Sequence, residues 1–316
     1  MNDLPSYDDL PRNSAGVPLA WHLFGGDDNM GMFNLQTPQA VANAAALVRK
    51  GSVFSLNAPV NLFTPSLAPA RSAARHKPLV LQAPWLIICD DVIDNFFPQG
   101  SSQWDSLAHV SADASTFYNG ATLDEVRAGE RNGIEHWARR GIAGRAILLD
   151  LEALQPDYDR GTPYAFTVDD LEQARTAAGV EYQPGDVIIL NTGFADWYSG
   201  LSAFERMGAA RAGAAPGVES SEDVCRYLWD AHPAAVASDT FGFEVTPASH
   251  SPADAPFGFI HQVLIGGLGI ALGELWWLKE LVADCRADGN YECFVTSAPL
   301  NVPGGTGSPA NALAIK

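Results

Sequence analysis

The segment over residues 166–194, FTVDDLEQARTAAGVEYQPGDVIILNTGF, most constrains the fold, because it joins a capped helix to a buried strand. Thr167 with Asp170 three residues later is a variant of the capping box that begins a helix. The turn QPGD then leads into VIILN, an apolar run of strand length. Because this alternation recurs along the chain, the sequence predicts an α/β fold.

Similar signals place the other elements. Thr37 and Pro38 open a predicted helix that continues to a stop at Gly51. Further helices are predicted within 122–140 and, from the spacing of its apolar residues, over 267–289. The chain over 61–78 is predicted to be an irregular surface segment. An apolar run over 79–91 predicts one or two strands. Single strands are predicted over 52–60, 144–151, 234–245 and, as the closing strand, 291–300.

The chain of 316 residues shows no internal repeat and no long linker. We therefore expect an N-terminal arm with one helix over residues 1–50, followed by a single catalytic domain over 51–316. A domain of that size buries a sizeable core.

The charge balance excludes two classes of partner. A formal net charge of −18 repels phosphate backbones and anionic lipid, so neither nucleic acid nor a membrane is expected as a partner. The uncharged stretch Phe257–Gly273 contains His261, Gln262 and five glycines, and is therefore predicted to be a buried core segment and not a membrane span. The first residues lack the basic and apolar regions of a signal peptide, which predicts a cytoplasmic location.

The four cysteines do not form a CxxC pair, which argues against a thiolate zinc site. Cys89 lies in the apolar run WLIICD and is expected to be a free, buried thiol. A pairing of Cys285 with Cys293 is left open.

The stretch GSSQWDSLAH carries the first candidate site. If it is extended, Gln103, Asp105 and His109 lie on one face and bring an amide, a carboxylate and an imidazole together. The ordinary alternative is a turn capped by Asp105 beside a core histidine.

The second candidate site pairs His261 with Glu274, which stands in the apolar stretch IALGELWWL. A carboxylate buried there costs several kcal/mol unless it is paired or binds a cation. The alternative is a glutamate on the solvent face of an amphipathic helix. Asp239, at the end of another apolar run, is either a site residue or a turn cap.

Six blocks, taken in order, resemble the cyclase family of metal-dependent hydrolases, which includes bacterial kynurenine formamidases and isatin hydrolases. The blocks are DDNMGMFNLQTPQAV, PQGSSQWDSLAHV with FYNG, VEYQPGDVIILNTGF, SDTFGFEV, HQVLIGGLGIALGE and SAPLNVPGGTGSPANALAI. The resemblance implies a swivelling β/β/α fold with a mixed sheet and flanking helices, and a homo-oligomer, either a dimer or a larger assembly such as a tetramer.

The resemblance also implies roles for individual residues. The formamidases carry His-x-Gly-Thr-His-x-Asp-x-Pro-x-His, in which the first two histidines and the aspartate bind metal and the last histidine is the proposed proton shuttle. The resemblance places the two metal histidines at Gln99 and Gln103, the aspartate at Asp105 and the last histidine at His109. A later histidine and glutamate of the family's site match His261 and Glu274. The chain therefore resembles a branch with Gln-Trp-Asp. Amide oxygens are weaker ligands than imidazoles, so one divalent ion, Mn²⁺ or Zn²⁺, is expected in place of two.

The implied activity is hydrolysis of a cyclic amide, a formamide or a lactone by a metal-activated water, with His109 as the proton shuttle. Trp104 and Phe97 are expected to line the pocket of a small-molecule substrate. Two alternatives remain open: a lyase or cyclase that uses the cation as a Lewis acid, and a degenerate binding protein without turnover.

Overall fold

The computed structural model describes residues 4–316, which form one nine-stranded mixed sheet with helices and two small two-stranded sheets. The strands are β1 Val53–Ser55, β2 Arg75–Ala83, β3 Leu86–Asp94, β4 Gln103–Asp105, β5 Ile142–Asp150, β6 Ala165–Phe166, β7 Val187–Asn191, β8 Gly217–Val218, β9 Ala235–Ser238, β10 Ala271–Glu274, β11 Glu292–Ser297, β12 Gly307–Pro309 and β13 Ala312–Ile315. The helices are α1 Pro38–Ala45, α2 Leu123–Arg127, α3 Glu135–Arg140, α4 Leu151–Leu154, α5 Val168–Ala178, α6 Phe194–Ser199, α7 Ala203–Ala212, α8 Glu222–Asp230 and α9 Lys279–Asp288.

The main sheet has the strand order β1-β13-β11-β5-β7-β9-β10-β4-β12. Its centre, from β5 to β10, is parallel, and the strands on either side pair in the antiparallel direction. Strands β7, β9 and β10 are buried along their whole length, as expected where helices cover a parallel sheet. The α/β class with a mixed sheet and flanking helices is thus confirmed.

The predicted helix caps are present. The Thr37 side chain accepts the Ala40 N–H, and Thr167 forms a full capping box with Asp170. Helix α1 ends at Ala45, earlier than the predicted stop at Gly51. The chain leaves the helix there because residues 46–48 turn through shorter i→i+3 hydrogen bonds before the backbone meets the C-terminal strand.

The prediction of a helix over 267–289 is wrong in its first half. Residues Ala271–Glu274 form β10, between β9 and β4, and only Lys279–Asp288 is α-helical. A fully buried strand is apolar on both faces, so periodicity alone does not separate it from a buried helix. The strand predicted over 291–300 is present as β11, but β12 and β13 follow it, so it does not close the chain.

The first strand pair departs most from expectation. The segment predicted as irregular to residue 78 already becomes β2 at Arg75, and β2 pairs with β3 in a hairpin. Cys89 was expected to be buried, but it is exposed on this hairpin. The apolar run does not enter the core, because the hairpin forms a two-stranded sheet separate from the main one and both of its faces are exposed. The other three cysteines are buried and free.

Residues 4–50 of the predicted N-terminal arm pack on the rest of the chain, while residues 1–3 lie outside the described residues. The Tyr7 N–H donates to Asp230, and the Met32 N–H donates to the Gly269 carbonyl. Among residues 4–316, no helix has the length and apolarity needed to span a membrane. The division between arm and catalytic domain stays a prediction.

Trp104 lies at the centre of an aromatic cluster under β4. Its ring contacts Trp276 and Trp137 edge to face, with centroids 4.9 and 6.4 Å away, and its indole N–H donates to Ser297 Oγ at 2.9 Å. The side chain is fully buried. The strand that positions the candidate site is therefore anchored from its opposite face.

We expect Trp104→Ala to lower the free energy of unfolding by about 3–5 kcal/mol, because it leaves a large cavity in a packed core. Phe204→Ala is the control, since Phe204 is 79% exposed and its loss should change stability by less than about 0.5 kcal/mol. Urea unfolding followed by circular dichroism measures both. A Trp104→Ala loss as small as that of the control would contradict this account of the core.

Candidate metal centre

The antiparallel pairing of β4 with β10 brings three polar side chains to one face of the sheet. Glu274 lies directly opposite Gln103 in the register, and Asp105 is two residues further along the same strand. Since side chains alternate along a strand, Gln103 and Asp105 share a face and Trp104 points to the other. The Gln103 amide donates to Glu274 Oε2 at 2.9 Å and lies 3.3 Å from Asp105 Oδ2.

His261 completes this group from the residue that precedes a short π-helix, Gln262–Gly267. Its Nε2 lies 2.9 Å from Glu274 Oε1, and its Nδ1 lies 2.7 Å from Glu244 Oε2. Phe259 stacks on the imidazole at 4.5 Å, which holds the plane of the ring. One ligand atom each from Asp105, His261 and Glu274 lies within 4.8 Å of the others.

The three residues are almost fully buried, with exposed fractions between 0% and 4%. Burial, with a smaller contribution from the Glu274 charge, raises the pKa of the Asp105 carboxyl. Burial alone would raise the pKa of Glu274, but the hydrogen bond from His261 lowers it. Burial alone would lower the pKa of His261, but the carboxylates of Glu244 and Glu274 raise it well above its ordinary value. The cluster therefore concentrates negative charge around one imidazole.

The Gln103 side chain leaves one atom unpaired. Its Oε1 is buried and has no hydrogen-bond partner among the described residues. A buried amide oxygen without a donor costs about 1–3 kcal/mol. Because the Gln103 amide directs Nε2 at the carboxylates, Oε1 would face an ion among them only if the amide turned over. The two carboxylates and the imidazole of the group form a donor set that suits Mn²⁺ or Zn²⁺. The residues present thus fit a single divalent ion.

His109 lies beside this group, in the turn that follows β4. Its Nε2 is 3.7 Å from Asp105 Oδ1, and its side chain is 25% exposed whereas that of Asp105 is 1% exposed. The backbone N–H of His109 donates to Ser106, so the chain is turned here and not extended as the spacing argument assumed. His109 therefore reaches both the buried carboxylate and solvent.

The other predicted site residues lie elsewhere. The Gln99 amide donates to Thr306 Oγ1 at 3.4 Å, not to the carboxylates. Phe97 lines a separate cavity of about 260 Å³ with Phe63 and Phe96. Trp104 packs in the core on the opposite face of β4, away from the cluster. Of the four predicted residues Gln99, Gln103, Trp104 and Phe97, Gln103 alone shares the face of the three candidate ligands.

Two site residues were missed from the sequence. Glu244 is fully buried and contacts His261. The sequence offers one signal for it, an acidic residue at the end of the stretch SDTFGFE. Arg71 lies in the irregular segment before β2, and its charge helps lower the pKa of both Asp105 and Glu274. No periodic signal marks a residue in such a segment.

Comparison with known proteins supports the fold described above. The sequence model of the Putative cyclase family matches residues 54–245, more than half of the chain. The chain belongs to the cyclase family. A crystal structure described as a novel cyclase is 30% identical, with a TM-score of 0.83, over 94% of this chain and 99% of the other. The resemblance inferred from the sequence is therefore confirmed.

Two isatin hydrolase structures share the fold with this member of the cyclase family. Isatin hydrolase A from Ralstonia solanacearum is 16% identical with a TM-score of 0.59, over 88% of this chain and 96% of that one. An isatin hydrolase bound to the product analogue thioisatinate is 18% identical with a TM-score of 0.56, over 88% and 98%. No curated protein matched the sequence.

Asp239, the weaker candidate from the sequence, caps a helix. Its carboxylate accepts the N–H and hydroxyl of Thr192, both at 2.7 Å, and the Ala195 N–H at 3.3 Å, at the start of α6. Burial raises the pKa of Asp239 to about 6, in spite of these donors. The described contacts of Asp239 support the turn-cap alternative.

The raised pKa of Asp239 predicts a pH-dependent stability. Because the folded carboxyl binds its proton more tightly than the unfolded one, its contribution is fully present below about pH 4 and is lost as the pH rises through about 6. Asp239→Asn removes this titration, so from pH 4 to pH 7 its stability relative to the wild type should improve by roughly 2 kcal/mol. Urea unfolding at both pH values measures the difference. A difference independent of pH would contradict the assignment.

Proposed function

We propose that this cyclase-family chain is a metal-dependent hydrolase that cleaves an amide, either cyclic or a formamide, or a lactone. The observation that carries the proposal is the approach of Asp105, His261 and Glu274 to within 4.8 Å, beside the partly exposed His109. The isatin hydrolases that share its fold are named for a cyclic amide, which supports this substrate class.

We assign Asp105, His261 and Glu274 as the ligands of one divalent ion. Gln103 Oε1 would be a further donor after its amide, which now directs Nε2 at the carboxylates, turns over. The carboxylates of Asp105 and Glu274 together balance the charge of the ion. When bound, Mn²⁺ or Zn²⁺ would supply Lewis acidity, lowering the pKa of water and polarising the carbonyl under attack. Gln99 has no described contact with this group, so its role as a ligand stays a prediction.

His109 is assigned as the group that moves protons. It lies 3.7 Å from Asp105 Oδ1, close enough to receive a proton at the cluster, and its exposure lets it deliver one to a leaving group. Glu244 accepts a hydrogen bond from His261 Nδ1, which directs Nε2 toward the cluster. Phe97 and its cavity remain a candidate for binding an apolar part of the substrate, whereas Trp104 is left out of the proposed site.

We propose a small molecule as the substrate, and Mn²⁺ or Zn²⁺ as the ion because the donors are mixed oxygen and nitrogen atoms. A homo-oligomer is proposed from the family resemblance, and a cytoplasmic location stays a prediction.

Substitutions at Asp105 and His109 separate metal binding from proton transfer. Asp105→Asn should lose the bound ion, because it removes an anionic ligand, while His109→Ala should keep the ion and lose roughly 10²–10⁴-fold in kcat. Elemental analysis gives metal content, and turnover is measured on a panel of isatin-type cyclic amides, aryl formamides and lactones. Solvent ¹⁸O should appear in the product.

Three results would contradict the proposal. One is full activity of both variants. The second is a product without solvent ¹⁸O, which is the outcome expected of a lyase. The third is a wild-type protein that takes up neither Mn²⁺ nor Zn²⁺, the outcome expected of a binding protein without turnover.

The contact between Glu244 and His261 makes a second prediction. Glu244→Gln should lower metal affinity by roughly 10–100-fold, because it removes the carboxylate that orients the ligand imidazole and raises its basicity. Competition with a chromophoric chelator measures this without any substrate. Glu135→Gln is the matched control, since Glu135 is also buried and lies 3.7 Å from His136. Equal affinities of the two variants would contradict the role of Glu244.

A further inference from the structure

Arg71 lies in the irregular segment that precedes β2, close to the candidate metal centre. Two contacts hold this segment in place: Leu67 is buried in the core cluster that contains Phe63, and the Arg71 backbone N–H donates to the Ala68 carbonyl at 3.0 Å. The Arg71 side chain is partly buried. A local turn and a packed leucine thus position an arginine that lies outside any helix or strand.

Hydrogen bonds connect the guanidinium to the strand that carries Asp105. Arg71 Nη1 donates to the Gln99 carbonyl, and the Gln99 amide donates to Thr306 Oγ1 at 3.4 Å. The Thr306 carbonyl in turn accepts the N–H of the residue that follows Asp105, at 3.1 Å. The positive charge of Arg71 therefore lies near enough to Asp105 and Glu274 to act on both carboxyls, where it lowers the pKa.

Most of the hydrogen-bonding capacity of this guanidinium is unused within the described chain. A guanidinium presents about five N–H donors in a rigid fork. Among residues 4–316, the Gln99 carbonyl is the acceptor of its side-chain hydrogen bond, and no carboxylate forms an ion pair with it. An arginine that served only to stabilise the carboxylates of the cluster would pair with one of them directly. The open side of the fork is thus available to a ligand.

The chemistry proposed for this centre produces an anion beside that fork. In the hydrolysis of an amide or a lactone, the hydroxyl of water bonds to the acyl carbon and the bond to the leaving nitrogen or oxygen breaks. The leaving atom takes the other proton of the water, and the acyl product ionises to a carboxylate. Three buried carboxylates, Asp105, Glu244 and Glu274, belong to the same cluster, and their charge repels such a product. A guanidinium fork offsets this repulsion, because it matches a carboxylate with two parallel hydrogen bonds.

We propose that Arg71 is a specificity-determining residue that binds a carboxylate at this centre through the open side of its guanidinium. The group that it holds is the carboxylate formed by hydrolysis, so the inference rests on the proposed function for the source of the anion. The ligand class is an acyl compound whose carbonyl carbon becomes that carboxylate. Carboxylates without a bond to hydrolyse are therefore expected to bind as product analogues.

Benzoate and benzamide form the probe pair, because they have nearly the same shape and differ in charge. In calorimetric titrations with Zn²⁺ present, the wild type should bind benzoate more tightly than benzamide. Arg71→Gln should weaken benzoate binding by roughly 10–100-fold and leave benzamide binding unchanged. Arg71→Lys keeps the charge but loses the two parallel bonds, so its affinity for benzoate should fall between the two. Arg206→Gln is the matched control, since Arg206 is also partly buried and donates to the carbonyls of Leu62 and Ser199.

Metal affinity, measured by competition with a chromophoric chelator, should not fall in Arg71→Gln, because this variant removes a positive charge and no metal ligand. A loss of metal, or equal losses of benzoate and benzamide binding, would assign Arg71 to the folding of its segment and overturn the proposal. An Arg71→Gln variant that keeps the wild-type preference for benzoate would overturn it as well.

The probe pair requires no turnover, so the two proposals can fail separately. An inactive wild type whose preference for benzoate depends on Arg71 would contradict the proposed hydrolysis and support the carboxylate site. An active wild type without that dependence would support the hydrolysis and overturn the role of Arg71.

Discussion

The register between β4 and β10 determines what the candidate site contains. With Glu274 opposite Gln103, the two carboxylates and the amide meet on one face, while Trp104 packs on Trp276 on the other. A slip of one residue would exchange the faces, placing the indole at the site and two polar side chains in the aromatic core. The Trp276 indole N–H, which donates to the Gln103 carbonyl at 3.0 Å, opposes such a slip. Packing on one face thus specifies chemistry on the other.

The buried charges of the site depend on one another. Asp105, Glu244 and Glu274 are three carboxylates around the single imidazole of His261, and all four residues are nearly excluded from water. Removing His261 would leave these carboxylates without a cationic partner, which costs several kcal/mol in such surroundings. A divalent cation relieves this excess of negative charge. The excess of buried carboxylates, which is unfavourable without an ion, therefore favours the binding of a cation.

The sequence predicts part of this arrangement, and the reasons for the rest are physical. Capping residues and the apolar run over 187–191 identify α5 and β7, because these signals are local. The prediction that Asp105 converges with His261 and Glu274 rested on the family resemblance, because residue spacing does not predict a contact between residues more than 150 positions apart. Glu274 was placed in a helical pattern because a strand buried on both faces lacks a period of two. The sequence wrongly predicted that Cys89 is buried, because an apolar run indicates burial but does not identify the element that would cover it.

The aromatic anchor of β4 has an optical consequence. The indole of Trp104 belongs to the residue between Gln103 and Asp105, and it is shielded from water within a cluster of other indoles. Its fluorescence is therefore that of a buried chromophore one residue away from two candidate ligands. Paramagnetic Mn²⁺ quenches such emission and diamagnetic Zn²⁺ does not. The emission of Trp104, one of the eight tryptophans of the chain, is therefore expected to depend on which of the two ions is bound.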